Sequence, residues 1–154
     1  MVGDCTPILP RRVSSWPIRR ALSRYKSWVS RRYSRRRLVG RNFIPQPAVF
    51  FRRDLLEEAG TLDQSLRYAM DYDLWLRFGS LAEPVFIPRR LAGFRCHGRS
   101  VTGAGYATGA WECFAIARRR ARGVERLALA QHWLHAVAEV AVYRAVDRAR
   151  PGPT

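Results

Sequence analysis

A chain of 154 residues, 47% of them hydrophobic, has the length and apolar content of one globular domain, which excludes wholesale disorder. Its 28 Lys and Arg against 12 Asp and Glu leave a net charge of +16, so an anionic partner or surface is expected. Lys26 is the only lysine, and an arginine bias of this kind also arises from GC-rich coding, so composition alone does not separate the two causes.

The cations are unevenly placed. Met1 to Arg53 holds 14 Lys and Arg against Asp4 alone, whereas residues 54–154 carry 14 cations and 11 acids. Anion-seeking character therefore belongs to the first third. Cys5, Cys96 and Cys113 are odd in number and far apart, which gives neither a disulfide framework nor the paired spacing of a structural zinc site. Met1 to Pro10 is too short and too broken by Pro7 and Pro10 for a signal peptide. No run approaches the ~20 apolar residues of a membrane span, so a soluble or peripheral chain is expected.

Met1 to Asp4 reads as the end of a strand entering a Gly-Asp turn. From Thr6 to Arg41 a Pro, Ser and Arg stretch carries Trp16, Tyr25, Trp28 and Tyr33 among its cations. A helix from Ile18 to Val29 is the only element it suggests, because blocks of like charge repel. Ala48 to Phe51 predicts a short buried strand, followed by a helix from Leu55 to Ala59 with Asp54 as N-cap and Gly60 as its close. Asp71 to Leu81 predicts the central helix, since Leu74, Phe78 and Leu81 fall at i, i+4 and i+7 and Asp73 stands four residues before Arg77.

Pro84 ends that helix, and Val85–Ile87 and Leu91–Arg95 read as strands. Gly98 to Gly109 reads as a Gly-rich loop. Trp111 to about Arg122 and Val124 to about Arg148 then read as two helices, the second with a broad apolar face and Pro151 beyond it. The class is α/β. Three regions are expected: a basic segment at 1–41, a central part at 42–110 and a helical extension at 111–154.

YAMDYDLWLRF, from Tyr68 to Phe78, sets two carboxylates at the first turn of a helix. Asp73 has Arg77 as a local partner. Asp71 sits where the helix dipole and free amides favour an ionised, acceptor-only carboxylate, the state a general base for a hydroxyl requires. The alternative is a helix N-cap. Gln46, stiffened between Pro45 and Pro47, suits either a polyol contact or a turn. Arg52 and Arg53 suit phosphate or a solvated strand end. His97, Arg99 and Ser100 could face a diphosphate, with a structural His97 as the alternative. His132 and His135 lack a third ligand nearby and read as surface or packing residues.

Three blocks in order, NFIPQPAVFFRR, LLEEAGTLDQSLRYAMDYDLWLRF and LAGFRCHGRSVT, resemble the carboxy-terminal half of family 2 glycosyltransferases with a GT-A fold, over roughly Asn42 to Thr102. MVGDC resembles that family's strand and Gly-Asp segment. The resemblance implies a partial GT-A, Rossmann-like sheet with flanking helices and two C-terminal helices. It implies sugar transfer from a nucleotide diphosphate donor to a hydroxyl acceptor, free or lipid-linked, in cell-envelope polysaccharide synthesis, with Asp71 as base. In the family an acidic pair, commonly Glu-Asp, leads this helix; here Met70 replaces the Glu.

By the same resemblance Gln46, Pro47, Arg53, Asp73, Trp75, His97 and Ser100 are substrate-binding residues, and His97 is also a candidate metal ligand. A divalent metal, Mn or Mg, is expected for a complete enzyme. The family's nucleotide-binding first half has no counterpart before Met1 and no DxD occurs between Met1 and Tyr68. The expectation is a truncated transferase, inactive alone, whose reading frame continues upstream. A cytoplasmic place is expected, at the inner face of an anionic membrane if peripheral. The competing reading is a nucleic-acid-binding protein, in which RRYSRRR and the interleaved aromatics supply phosphate contacts and base stacking.

Overall fold

The computed structural model describes residues 1–8, 33–95 and 105–148, the side chains of residues 3–8, 90, 94, 95, 143 and 145–148 excepted. Strand β1 (Val2–Ile8) lies parallel to β2 (Phe86–Arg95). β1 thus continues past the Gly-Asp that the sequence suggests as its end. The two short strands expected at Val85–Ile87 and Leu91–Arg95 are one. Pro88, which has no N–H for a ladder, is accommodated because the register jumps there: Gly3 pairs with Ile87 and Asp4 with Arg90.

The strand expected at Ala48–Phe51 is absent. Gln46–Ala48 forms a 3₁₀ turn with Pro47 in its first positions, and only Val49 bridges antiparallel to Val2. The terminal amine of Met1 donates to the Phe50 carbonyl at 2.7 Å, and the Phe50 amide donates back to Met1 at 2.9 Å. Pro at 45 and 47 removes two donors and favours the turn over a ladder. Among the described residues the strands make a single parallel pair. The chain is a mixture of helix and strand in which helix dominates, and a wider GT-A sheet is not shown.

Helix α1 (Arg35–Gly40) lies inside the basic stretch, beyond the helix suggested at Ile18 to Val29, which falls outside the described residues. Ser34 caps it, its Oγ accepting from the Arg37 amide at 3.2 Å. Leu38 and Val39 are wholly buried, and that burial offsets the clustered arginines. Arg35 is turned inward, paired with Glu125 and donating to the Arg120 carbonyl at 3.2 Å. The short helix is tied down at its other end by side chains. The fully buried Tyr72 hydroxyl donates to Leu38 O at 2.8 Å, and His132 Nδ1 to Val39 O at 2.6 Å. His132 is thus a packing residue, and burial lowers its pKa, keeping the ring neutral.

Helix α2 (Arg53–Ala59) starts two residues before its expected first turn. Arg52 is the N-cap residue, and Asp54 lies within the turn, bonded to Arg52 and to the Leu55 amide. Helix α3 (Met70–Leu81) matches the expected central helix to one residue. Helix α4 (Tyr106–Arg120) begins five residues earlier than Trp111, within the stretch read as a Gly-rich loop. Gly105 and Gly109 serve the approach of Tyr68: a Cβ at Gly105 would fall 2.2 Å from its ring.

A second 3₁₀ turn (Gly123–Leu127) leads into α5 (Ala128–Arg148). The core lies where α1, α3 and α4 meet, around Leu38, Val39, Tyr72, Leu76 and Ile116. No helix among the described residues is long and apolar enough to cross a membrane.

Candidate functional site

The two carboxylates of the DYD segment have opposite surroundings. Asp73 is completely buried. Its Oδ2 accepts from Arg77 Nε at 2.9 Å, the i, i+4 pair expected from the sequence. Arg120 reaches it from α4 with two bonds, Nε to Oδ1 at 2.9 Å and Nη2 to Oδ2 at 3.2 Å, and Arg119 Nη2 lies 3.3 Å from Oδ1. Arg77 passes the connection on, donating to the carbonyls of Ala59, Gly60 and Thr61 at 2.6 to 2.8 Å. That closes the C-terminal end of α2, where Gly60 has φ 82°. Asp73 therefore joins three helices.

Asp71, two residues earlier, is half-buried and, among the described residues, accepts from the Tyr72 amide beside it at 2.7 Å. Burial raises its pKa above the ordinary aspartate value, against the pull of the adjacent amides. It is not the cap of α3: that position is Ala69, which has no side chain to offer. The segment leading into the helix is held from α4. Glu112 Oε1 accepts from the Arg67 amide at 3.0 Å, and Oε2 accepts from Tyr68 and Ala69 at 2.6 and 2.7 Å. One distant carboxylate thus fixes the three amides ahead of α3, while the Tyr72 amide in its first turn is taken by Asp71.

Cys113, next to Glu112, completes this corner. Its thiol is pushed up to about 12, by burial first and then by the charge of Asp71 and more distant acids. The thiol is therefore protonated and unreactive as a nucleophile. Asn42 places its amide against Cys113, while its Oδ1 is buried without a partner among the described residues. The arrangement holds a carboxylate with spare acceptor capacity beside a neutral thiol and a rigid helix terminus. Chemically, such a carboxylate can take a proton from a hydroxyl brought within ~2.6 to 3.2 Å.

The other expected site residues are dispersed. Trp75, one turn after Asp71, is buried with its ring 5.7 Å from Phe78 and 6.3 Å from Phe51. Its Nε1 has no partner among the described residues. Gln46 and Pro47 are exposed on the first 3₁₀ turn. Arg53 lines an open depression of about 460 Å³ with Arg52, Asp54 and Glu57. A recess of about 300 Å³ is lined by Phe51, Leu56, Thr61, Leu62, Gln64 and Leu74. Asp71 lines neither. His97 and Ser100 lie outside the described residues.

Among the described residues no three His, Cys, Asp or Glu side chains are placed to hold a metal ion. His97, the candidate ligand for the divalent metal the resemblance implies, lies outside the described residues. Glu112, Arg119, Arg120 and Asn42 were not legible as site residues. Glu112 and the arginines act on partners 43 to 47 positions away, and Arg118–Arg120 reads locally as the usual cationic end of a helix.

No protein-family model, curated protein or solved structure matches the chain.

Proposed function

We propose that the chain is part of a sugar-transfer enzyme of the family 2 glycosyltransferase kind, with a GT-A-like architecture, in which Asp71 is the base. The acceptor hydroxyl gives its proton to an Asp71 oxygen as its own oxygen bonds to the anomeric carbon of the donor sugar. The bond from that carbon to the nucleoside diphosphate breaks, and its electron pair leaves with the diphosphate. Support for the reading comes from one observation above all: Asp71 is a half-buried carboxylate whose pKa burial raises, and its partners among the described residues are adjacent backbone amides with no cation beside it. A carboxylate in that state accepts a proton more readily than an ordinary surface aspartate. Met70, where the family commonly has Glu, leaves no neighbouring acid to share the role. Glu112, from α4, is already committed to three backbone amides.

Because the 154 residues are expected to be inactive alone, the test is transfer from a panel of nucleotide diphosphate sugars to hydroxyl acceptors by the complete product of the reading frame that contains them, wild type against Asp71→Asn. The expected result is a loss of about 10² to 10⁴-fold in the variant. Where turnover of the wild type is too slow to follow, carboxyl-carbon NMR reads the Asp71 titration with and without acceptor, and an acceptor-dependent displacement is expected. Equal transfer by both proteins overturns the assignment, as does a chain that neither turns over donors nor responds to any acceptor.

A further inference from the structure

Helix α5 is apolar on the side it buries and also on the side it does not. Ala128, His132, Ala136 and Val140 are buried at i, i+4, i+8 and i+12, where the helix packs against α4 and α1. At roughly 100° per residue, Ala130, Leu134, Val137, Ala138 and Ala141 fall on the opposite side, with Trp133 at its edge. There an ordinary surface helix carries charge. Trp133 is 47% exposed, Leu134 61% and Val137 39%. The face continues through the preceding turn, where Val124 and Leu127 are 71% and 69% exposed. The sequence gives this helix a broad apolar face without saying what covers it. The structure packs it on helices, and among the described residues nothing covers the outer face.

Charge says what covers it. Exposed Arg122 and Arg126 flank Val124 and Leu127, and exposed Arg144 stands one turn beyond the apolar stretch. Glu125, the acid within the turn, faces inward to Arg35; Glu139, though exposed, falls on the side turned to α4, where its charge reaches Cys113. Two copies meeting through this face would bring those arginines together in a chain already at +16, a repulsive arrangement. A planar surface of phosphate groups over hydrocarbon matches both features: guanidinium pairs with phosphate, and Trp, Leu and Val enter the headgroup boundary. No described helix is long and apolar enough to cross, so α5 would lie in the plane.

We propose that the Gly123–Leu127 turn and the outer face of α5 dock the protein on the surface of an anionic phospholipid bilayer. This docking is independent of the sugar-transfer reading, and Asp71→Asn leaves it unchanged. The full chain is tested by flotation with vesicles of phosphatidylcholine alone and of phosphatidylcholine mixed with phosphatidylglycerol. Binding to the mixed vesicles is expected, with quenching of tryptophan emission by brominated lipid that is largely lost in Trp133→Phe.

Leu134→Glu with Val137→Glu changes only exposed positions, so the fold, followed by circular dichroism, should persist while binding falls about tenfold or more. Replacing Arg122, Arg126 and Arg144 with Gln should erase the preference for anionic lipid. Failure of the wild type to float overturns the proposal. So does undiminished binding by the Glu variant, which would assign the interaction to the basic segment before Tyr33. A lipid-free dimer abolished by Leu134→Glu also overturns it, because the face would then belong to a second copy.

Discussion

The junction around Asp73 and the corner around Asp71 are separated by one residue and built on opposite principles. At the junction a carboxylate with no exposure is surrounded by guanidiniums from α3 and α4, and one of those guanidiniums closes α2. Every acceptor position there has a donor. At the corner, Glu112 has taken the amides ahead of α3, and Asp71 keeps adjacent backbone amides and a pKa raised by burial. The first arrangement stabilises; the second retains a carboxylate at some cost in stability. Buried, unsaturated charge of that kind is what functional sites keep and structural ones neutralise.

The contrast breaks most visibly at Asp73. Asp73→Asn leaves three guanidiniums gathered without their counter-charge, and removing one partner of a buried ion cluster typically costs about 3 to 5 kcal/mol. Chemical denaturation should place the loss near the lower end, because Arg119 is half-exposed and Arg120 one-third exposed. Arg119→Gln alone, which removes a solvent-screened partner, should cost less than about 1 kcal/mol. If the two variants lose equally, Asp73 is not the point of convergence.

Glu112→Ala comes next. It strands the amides of Arg67, Tyr68 and Ala69, and a loss of about 1 to 3 kcal/mol is expected where such groups are partly buried. Hydrogen exchange sharpens the test: protection should fall at Tyr68 and Ala69 and stay unchanged within β1 and β2. A uniform loss along the chain would mean that Glu112 supports the core and not the start of α3.

How much of this was readable from the chain depends on sequence distance. Helix α3 was legible because its signals are local: Leu74 and Phe78 at helical spacing, Asp73 four before Arg77, Pro84 beyond the end. Helix α1 was not, although Ser34 is an ordinary cap. Its arginines outweigh two apolar residues in any local count, and what fixes it are Tyr72 and His132, dozens of positions away. The strand expected at Ala48–Phe51 failed for the opposite reason. Its apolar run is real, but the flanking prolines and a single bridge to Val2 leave no ladder for it. At the candidate site, the position of Asp71 on α3 followed from the sequence. Its surroundings did not, because the segment ahead of it is fixed by Glu112 from another helix. The resemblance to glycosyltransferases supplied a role for Asp71, and the contacts of Asp73 supply the comparison that makes the role testable.

The smallest effect has an unusual sign. A carboxyl whose pKa is higher folded than unfolded binds protons more tightly in the native state, so its contribution weakens folding as pH rises. For Asp71 that penalty is absent below the unfolded value of about 3.9. It grows as pH climbs toward the raised native value and is complete above it. Asp71→Asn keeps an acceptor for the Tyr72 amide and removes the buried charge, so the variant should be slightly more stable than wild type at neutral pH. A rise in Tm of no more than about 2 to 4 °C corresponds to roughly 1 kcal/mol in a chain of this size. The difference should shrink to nothing as the pH of the melt is lowered toward 4. A variant less stable at neutral pH would mean that the Asp71 charge is compensated in the native protein, and the corner would then resemble the junction it has been set against.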